Sequence, residues 1–192
     1  REYIKEQEIK YKSKVIFVKQ KSKKTGWQSL ATNMRFENGK EYHKDRYSDW
    51  WIQGYTCGNL FMRENCQNCR YKDLPRLADI SMGDFWKITR CDDKDMEKGI
   101  SVVFSNSEKG DAILAQIKDR FHIEERTMQE VLKGNPYLFG QAHQKGDRER
   151  FFDLLDSVPF SEAVKETYTE TVVAKFKRYM KLILKKMGRK GW

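Results

Sequence analysis

Two cysteines three positions apart, Cys66 and Cys69, lie among Arg63, Arg70 and Lys72, and the run Asp79-Ile-Ser-Met-Gly-Asp-Phe-Trp86-Lys87 follows. Thiolates at this spacing can grip one metal ion or one cluster from a single turn, because the two sulfurs converge when the turn closes. Nearby cations lower thiol pKa and offset the negative charge of a thiolate-ligated centre. The same spacing also suits zinc, a redox disulfide, or a pair of buried thiols. The remaining cysteines, Cys57 and Cys91, extend the pattern to C-x8-C-x2-C-x21-C. That is neither the paired spacing of a zinc ribbon nor the tight run of a bacterial ferredoxin. In a reducing compartment such clustering points to metal or iron-sulfur ligation more than to disulfides.

Other chemistry is scarce. His43, His122 and His143 are far apart and form no ligand motif, and no nucleophile elbow, phosphate loop or dinucleotide fingerprint is present. Asp79 and Asp84 flank Gly83, which reads as a close backbone approach or a positive φ. Either carboxylate could orient a cofactor hydroxyl. The plain alternatives are a turn cap for Asp84 and an ion pair with Arg76 for Asp79. Basic loops interleaved with aromatics match no nucleic-acid motif, so no specific nucleic acid is expected.

The elements that must position these residues read as follows. Glu2 to Tyr11 is a helix, and Lys14 to Lys19 a strand. Trp27 to Phe36 is strand-like, and Asn38-Gly39 is a hairpin signal before a returning strand, Glu41 to His43. Asp45 caps a helix from Arg46 to about Gly54 with Tyr47, Trp50, Trp51 and Tyr55 on one stripe. Leu77 to Ser81 and Gly99 to Phe104 are short strands, and Phe121 to Arg126 alternates weakly as a further strand candidate. Asn106 or Ser107 caps a helix through Arg120, with Ala112, Leu114, Ile117 and Phe121 as core candidates. Thr127-x-x-Glu130 is a capping box for a helix that Gly134-Asn135-Pro136 stops. Two more helices are expected at Asp147 to Ser157 and Phe160 to Tyr168.

From Thr171 to Met187 the pattern changes to a basic amphipathic helix. Val172, Val173, Phe176, Tyr179, Met180, Ile183, Leu184 and Met187 recur at helical period, opposite Lys175, Lys177, Arg178, Lys181, Lys185 and Lys186. It reads either as an interfacial membrane-surface helix or as one docked on its own domain.

The 192 residues suffice for a real core, and 39% apolar with 13% aromatic content excludes a disordered chain. No apolar run approaches the ~20 residues of a membrane span, and the first residues carry no signal-peptide pattern, so a cytoplasmic location is expected. The opening inside a helix without an initiating Met suggests a piece of a longer protein. A net charge of +10 favours anionic partners.

Arg63-x-x-Cys-x-x-Cys-x-Tyr-Lys72, then Arg76-x-Ala-Asp-Ile-Ser-x-Gly-Asp-Phe-Trp86, then Lys98-Gly-Ile-Ser-Val-Val-Phe-Ser-Asn-Ser-Glu-Lys-Gly110 resembles the C-terminal domain of the coenzyme F420 hydrogenase/dehydrogenase beta-subunit family. The resemblance is to the bacterial branch found with polysaccharide-biosynthesis proteins, and it covers about Lys14 to Phe160. It implies an iron-sulfur flavoprotein oxidoreductase. A 4Fe-4S cluster would be held in part by Cys66 and Cys69, with FAD at the electron junction. Coenzyme F420 is the partner in archaeal enzymes, although a bacterial member need not have access to it. A ferredoxin-like iron-sulfur domain N-terminal to this one, or an electron-donor protein, would be the redox partner.

On that basis Cys57 and Cys91 are candidate additional ligands. Arg63, Arg70, Lys72, Asp84 and Lys87 are candidate cofactor-binding residues. The family commonly has glycine after Gly-Asp-Phe-Trp, where this chain has Lys87. The expected architecture is α+β: a mixed β-sheet from the segments near Val15, Trp27, Tyr42, Ile80 and Val102, covered by helices. The parts are an upstream helix or linker (1–13), the family-like domain (14–168) and the basic helix and tail (169–192). The alternative is a zinc-stabilised or metal-free interaction module of a membrane-associated glycan-assembly complex.

Overall fold

The computed structural model describes residues 1–140 except 75 and 90, residues 145–168, and, further on, 170–173, 176–177, 179–180 and 183; Asp93 is described by its backbone alone. Most of the expected basic helix of 171–187 therefore lies outside the described residues. The chain is α+β and divides into two units. One holds the described residues of Arg1–Lys21, Ala31–Met62 and Gln144–Trp192, the other those of Ser22–Leu30 and Arg63–His143.

In chain order the elements are α1 (Glu2–Tyr11), β1 (Val15–Ser22), β2 (Ala31–Phe36), β3 (Glu41–Asp45), α2 (Trp50–Ile52), α3 (Glu64–Gln67), β4 (Ile80–Asp84), α4 (Asp93–Lys98), β5 (Ser101–Ser105), α5 (Glu108–Ile117), α6 (Met128–Gly134), α7 (Arg148–Leu154) and α8 (Phe160–Thr167). The strands do not join in the single mixed sheet expected. They form two separate sheets, β1-β2-β3 and β4-β5.

The first unit is built around β2, the middle strand of its sheet, which buries every residue except Arg35. Asn38-Gly39 turns the chain into β3 as expected. Gly39 adopts φ 78°, and the antiparallel register runs from Ala31 opposite Asp45 to Arg35 opposite Glu41. Helix α8 presents Phe160, Ala163, Val164 and Thr167, an i, i+3, i+4, i+7 stripe, to a core shared with Tyr3, Met34, Phe36, Tyr42, Leu60 and Phe151. The Glu6 carboxylate accepts from the backbone N–H of Ser161 at 2.8 Å, so α1 supplies the cap that Pro159 cannot.

Asp45 does not start the expected helix. Its carboxylate accepts from the Tyr47 amide (3.1 Å) and the Ser48 hydroxyl (2.6 Å) to close a turn, and Asp49 caps α2 instead. The chain then widens into a π-helix, Gln53–Cys57. Asp49 is fully buried: one oxygen accepts from the Ile52 amide (2.7 Å), the other from the Tyr42 (2.8 Å) and Tyr3 (3.0 Å) hydroxyls. Burial raises its pKa despite these donors. Burial, reinforced by the adjacent carboxylate, pushes both tyrosines upward.

The second unit has the smaller core, Phe85, Val102 and Val131 with Ile88, Ile100, Phe104 and Leu138 against it. The segment at Trp27 is a 3-10 turn, Trp27–Ser29, not a strand. Thr127 and Glu130 form the expected capping box of α6. Phe121 to Arg126 is not a strand, and Phe121 is 62% exposed rather than core. The run ends instead in local contacts of the Glu124 carboxylate, a hydrogen bond with the His122 ring and an ion pair with Arg126.

Candidate functional site

The Cys-x-x-Cys pair sits on α3 and the turn after it. Arg63 is the N-cap residue, its carbonyl accepts from the Cys66 amide at 2.9 Å, and Asn68 ends the turn. Cys66 is exposed and Cys69 half-buried. Arg63 and Arg70 are exposed and Lys72 half-buried, with the Arg70 guanidinium 5.2 Å from the centre of the Tyr71 ring. The pair therefore lies on an accessible, cationic segment. Cys91, half-buried, belongs to the same unit. Cys57 belongs to the other, at the end of the π-helix, its sulfur 3.6 Å from the Thr56 hydroxyl. None of the four is in a disulfide.

Among the described residues no group of three or more His, Cys, Asp or Glu side chains is gathered as a metal site. A cluster of the 4Fe-4S type takes four thiolates. Cys66 and Cys69 have the chemistry of two such ligands, and no group of three or more candidate ligands forms among the described residues.

The Gly-Asp-Phe-Trp segment is held as a clasp. Phe85 is buried in the small core and its amide donates to the Ile100 carbonyl at 2.8 Å, extending the β4-β5 ladder. Trp86 stacks on Trp27 with ring centres 4.8 Å apart and planes within 9°. Asn135 spans the turn from the far side: its Nδ2 donates to the Asp84 carbonyl (2.7 Å), and its Oδ1 accepts from the Trp86 amide (3.2 Å). Gly134, the last residue of α6, lies directly on the Trp86 carbonyl, where a Cβ would collide with backbone. Gly99, at φ +100°, lies against Trp27, which a Cβ would approach to 2.9 Å.

Neither aspartate does what its sequence neighbours suggest. The Asp84 carboxylate accepts from the Trp27 indole N–H at 3.3 Å. The Asp79 carboxylate accepts from the Ser107 hydroxyl (2.7 Å) and pairs with Lys109 (3.2 Å), not with Arg76. Those two contacts, the hydroxyl first, hold it below the usual carboxylate range. Gly83 has neither a positive φ nor a tight neighbour, since a Cβ there would meet only Val102 at 3.8 Å. Sequence reasoning assigns no site role to Asn135, Gly134, Trp27 or Gly99.

Lys87 leaves this clasp exposed and in the left-handed region, φ 58°. A glycine is favoured there for its backbone freedom, and lysine costs about 1–2 kcal/mol in that conformation. Replacing Lys87→Gly is expected to raise stability by about 0.5 kcal/mol, after the larger unfolded-state entropy of glycine is subtracted. Urea unfolding midpoints of the two proteins check this.

The fold and the dithiol segment define an α+β protein in which Cys66, Cys69 and Cys91 share a unit with the Trp27–Trp86 clasp. Residues 1–131 match the family model that describes the C terminus of the beta subunit in coenzyme F420 hydrogenase/dehydrogenase, and the chain belongs to that family. No curated protein and no solved structure matches the chain.

Proposed function

We propose that this chain is part of an iron-sulfur flavoprotein oxidoreductase and that Cys66 and Cys69 supply two ligands to its 4Fe-4S cluster. The observation that carries the reading is the family match over residues 1–131, which includes the Cys-x-x-Cys and Gly-Asp-Phe-Trp segments. Bound there, a cluster would supply one-electron transfer. Arg63, Arg70 and Lys72 would offset its negative charge, and Lys87, presented on the clasp, would pair with a flavin phosphate. The remaining ligands come from Cys91, in the same unit, and from an N-terminal ferredoxin-like iron-sulfur domain. The role we assign the oxidoreductase is in bacterial glycan assembly, with FAD as the junction.

Anaerobic purification of the full-length protein tests this. Iron, acid-labile sulfide and FAD should all be present, and Cys66→Ser should lower iron and sulfide severalfold while leaving the stability of the apoprotein within about 0.5 kcal/mol of wild type. Iron content unchanged by Cys66→Ser, or zinc in place of iron, would overturn the assignment.

A further inference from the structure

A strand at the edge of a sheet offers a row of unpaired N–H and C=O groups, and folded proteins guard it with charge, a bulge or a covering contact. Among the described residues β1, β3, β4 and β5 are edge strands. β1 carries Lys19 and Lys21, and β3 carries Glu41, Lys44 and Asp45. β4 ends in Asp84, whose carbonyl is taken by the Asn135 side chain. β5, Ser101-Val-Val-Phe-Ser105, has neither charge nor proline, and no such clamp among the described residues.

The phase of the β4–β5 ladder fixes which groups β5 leaves open, because bonded and non-bonded pairs alternate along an antiparallel ladder. The Phe85 amide donates to the Ile100 carbonyl (2.8 Å) and the Asn106 amide to the Asp79 carbonyl (2.9 Å). With Met82 opposite Val103, the bonded pairs between those two bonds are Gly83–Val102 and Ser81–Phe104. Ser101, Val103 and Ser105 therefore turn both backbone groups away from β4, and no described residue bonds those groups. Val103 is 42% exposed, and Met82, opposite it on the same face, is 77% exposed.

We propose that β5 is a dimerisation edge: two copies of this chain pair their β5 strands antiparallel about a two-fold axis at Val103, joining two β4–β5 ladders into one sheet. The strand is its own complement. Val103 meets Val103 on the axis, Ser101 meets Ser105, and about six backbone bonds close the seam from groups otherwise left to water. The charges beyond the strand ends are reciprocal as well. Residues equidistant from Val103 approach across the axis, which brings Lys98, the last residue of α4, towards Glu108, the first of α5, in the second copy. Glu97 faces Lys109 in the same way. Lys98 and Glu108 are exposed, and neither side chain has an ionic partner among the described residues. A seam along β4 centred on Met82 would instead set Ile80 against Asp84 and meet the Asn135 clamp. A foreign strand would supply the backbone bonds but not this reciprocal order of charges. Pairing of β5 uses no cysteine and no cofactor contact, so it stands apart from the redox assignment.

Sedimentation velocity of the complete chain tests it over about 1–200 μM, the range expected of a small interface. The wild type should pass from monomer to dimer across that range. Val103→Lys, which sets two ammonium groups against each other on the axis and leaves the β4 ladder in place, should weaken the dimer by at least about tenfold. Lys98→Glu and Glu108→Lys should each weaken it by about threefold or more at low salt. The double reversal, Lys98→Glu with Glu108→Lys, should restore wild-type association. Both charged positions are exposed, so these variants should keep the wild-type circular dichroism, and they decide the matter should Val103→Lys fail to fold. A chain that stays monomeric throughout the range would overturn the proposal, whether or not it captures a strand of another protein. So would a dimer that a folded Val103→Lys leaves intact, or one in which the double reversal recovers nothing that the single reversals lose.

Discussion

Asp49→Ala will cost the protein about 3–5 kcal/mol, measured as the drop in urea unfolding free energy, because three donors lose their acceptor at once. The Ile52 amide loses its cap, worth about 1 kcal/mol. The Tyr3 and Tyr42 hydroxyls, 2.6 Å apart in the core, are left with each other alone. Asp49→Asn keeps the oxygen that caps Ile52 and should cost only about 1–2 kcal/mol.

The two variants also separate charge from geometry through pH. Burial raises the folded-state pKa of Asp49, so the unfolded chain ionises first as pH rises. Between the ordinary aspartate value, about 4, and the raised folded one, the native state holds more protons, and stability falls with increasing pH. Asp49→Asn removes this contribution. Its unfolding free energy relative to wild type should therefore improve as pH rises through that window, and an unchanged difference would mean that Asp49 does not titrate there.

Gly134→Ala should destabilise by about 2–3 kcal/mol or more, against the ordinary rule that alanine improves a helix by nearly 1 kcal/mol over glycine. The added methyl meets the Trp86 backbone carbonyl, which neither a rotamer change nor a small shift removes, since Asn135 pins that turn through both its side-chain atoms. Tryptophan fluorescence should report the loss of the Trp27–Trp86 stack in the folded variant. Gly83→Ala is the control within the same unit. Its Cβ has room beside Val102, so alanine there should stabilise the strand by about 0.5 kcal/mol. The same substitution thus carries opposite signs at two glycines of neighbouring motifs.

The Gly-Asp-Phe-Trp segment shows why the site is only half legible in sequence. As a string it looks like cofactor chemistry around a special glycine. In the fold Gly83 is an ordinary strand residue, and the positions that demand glycine include Gly134 and Gly99, whose neighbours lie dozens of residues away. Lys87 is the instructive residue. At φ 58° it holds a left-handed position that favours glycine, a demand of the turn that the residue type does not announce.

Features whose partners lie within a few residues are readable in advance. The Asn38-Gly39 hairpin, the Thr127–Glu130 capping box, a cap of α5 at Asn106 or Ser107 and the helices within Asp147 to Ser157 and Phe160 to Tyr168 depend on hydrogen bonds and side-chain periods that close inside one turn or one hairpin. The α+β class follows from their alternation, and the cysteine-bearing basic segment from composition alone. What the tertiary structure decided is everything that pairs distant positions: two sheets in place of one, Asp49 rather than Asp45 as the cap of α2, Asp79 with Lys109, and the Asn135 clamp on Asp84 and Trp86, 51 and 49 positions away. Periodicity states which face of an element must be buried, but not against what. That choice is made by packing across the whole chain, where many alternative neighbours satisfy the same local pattern.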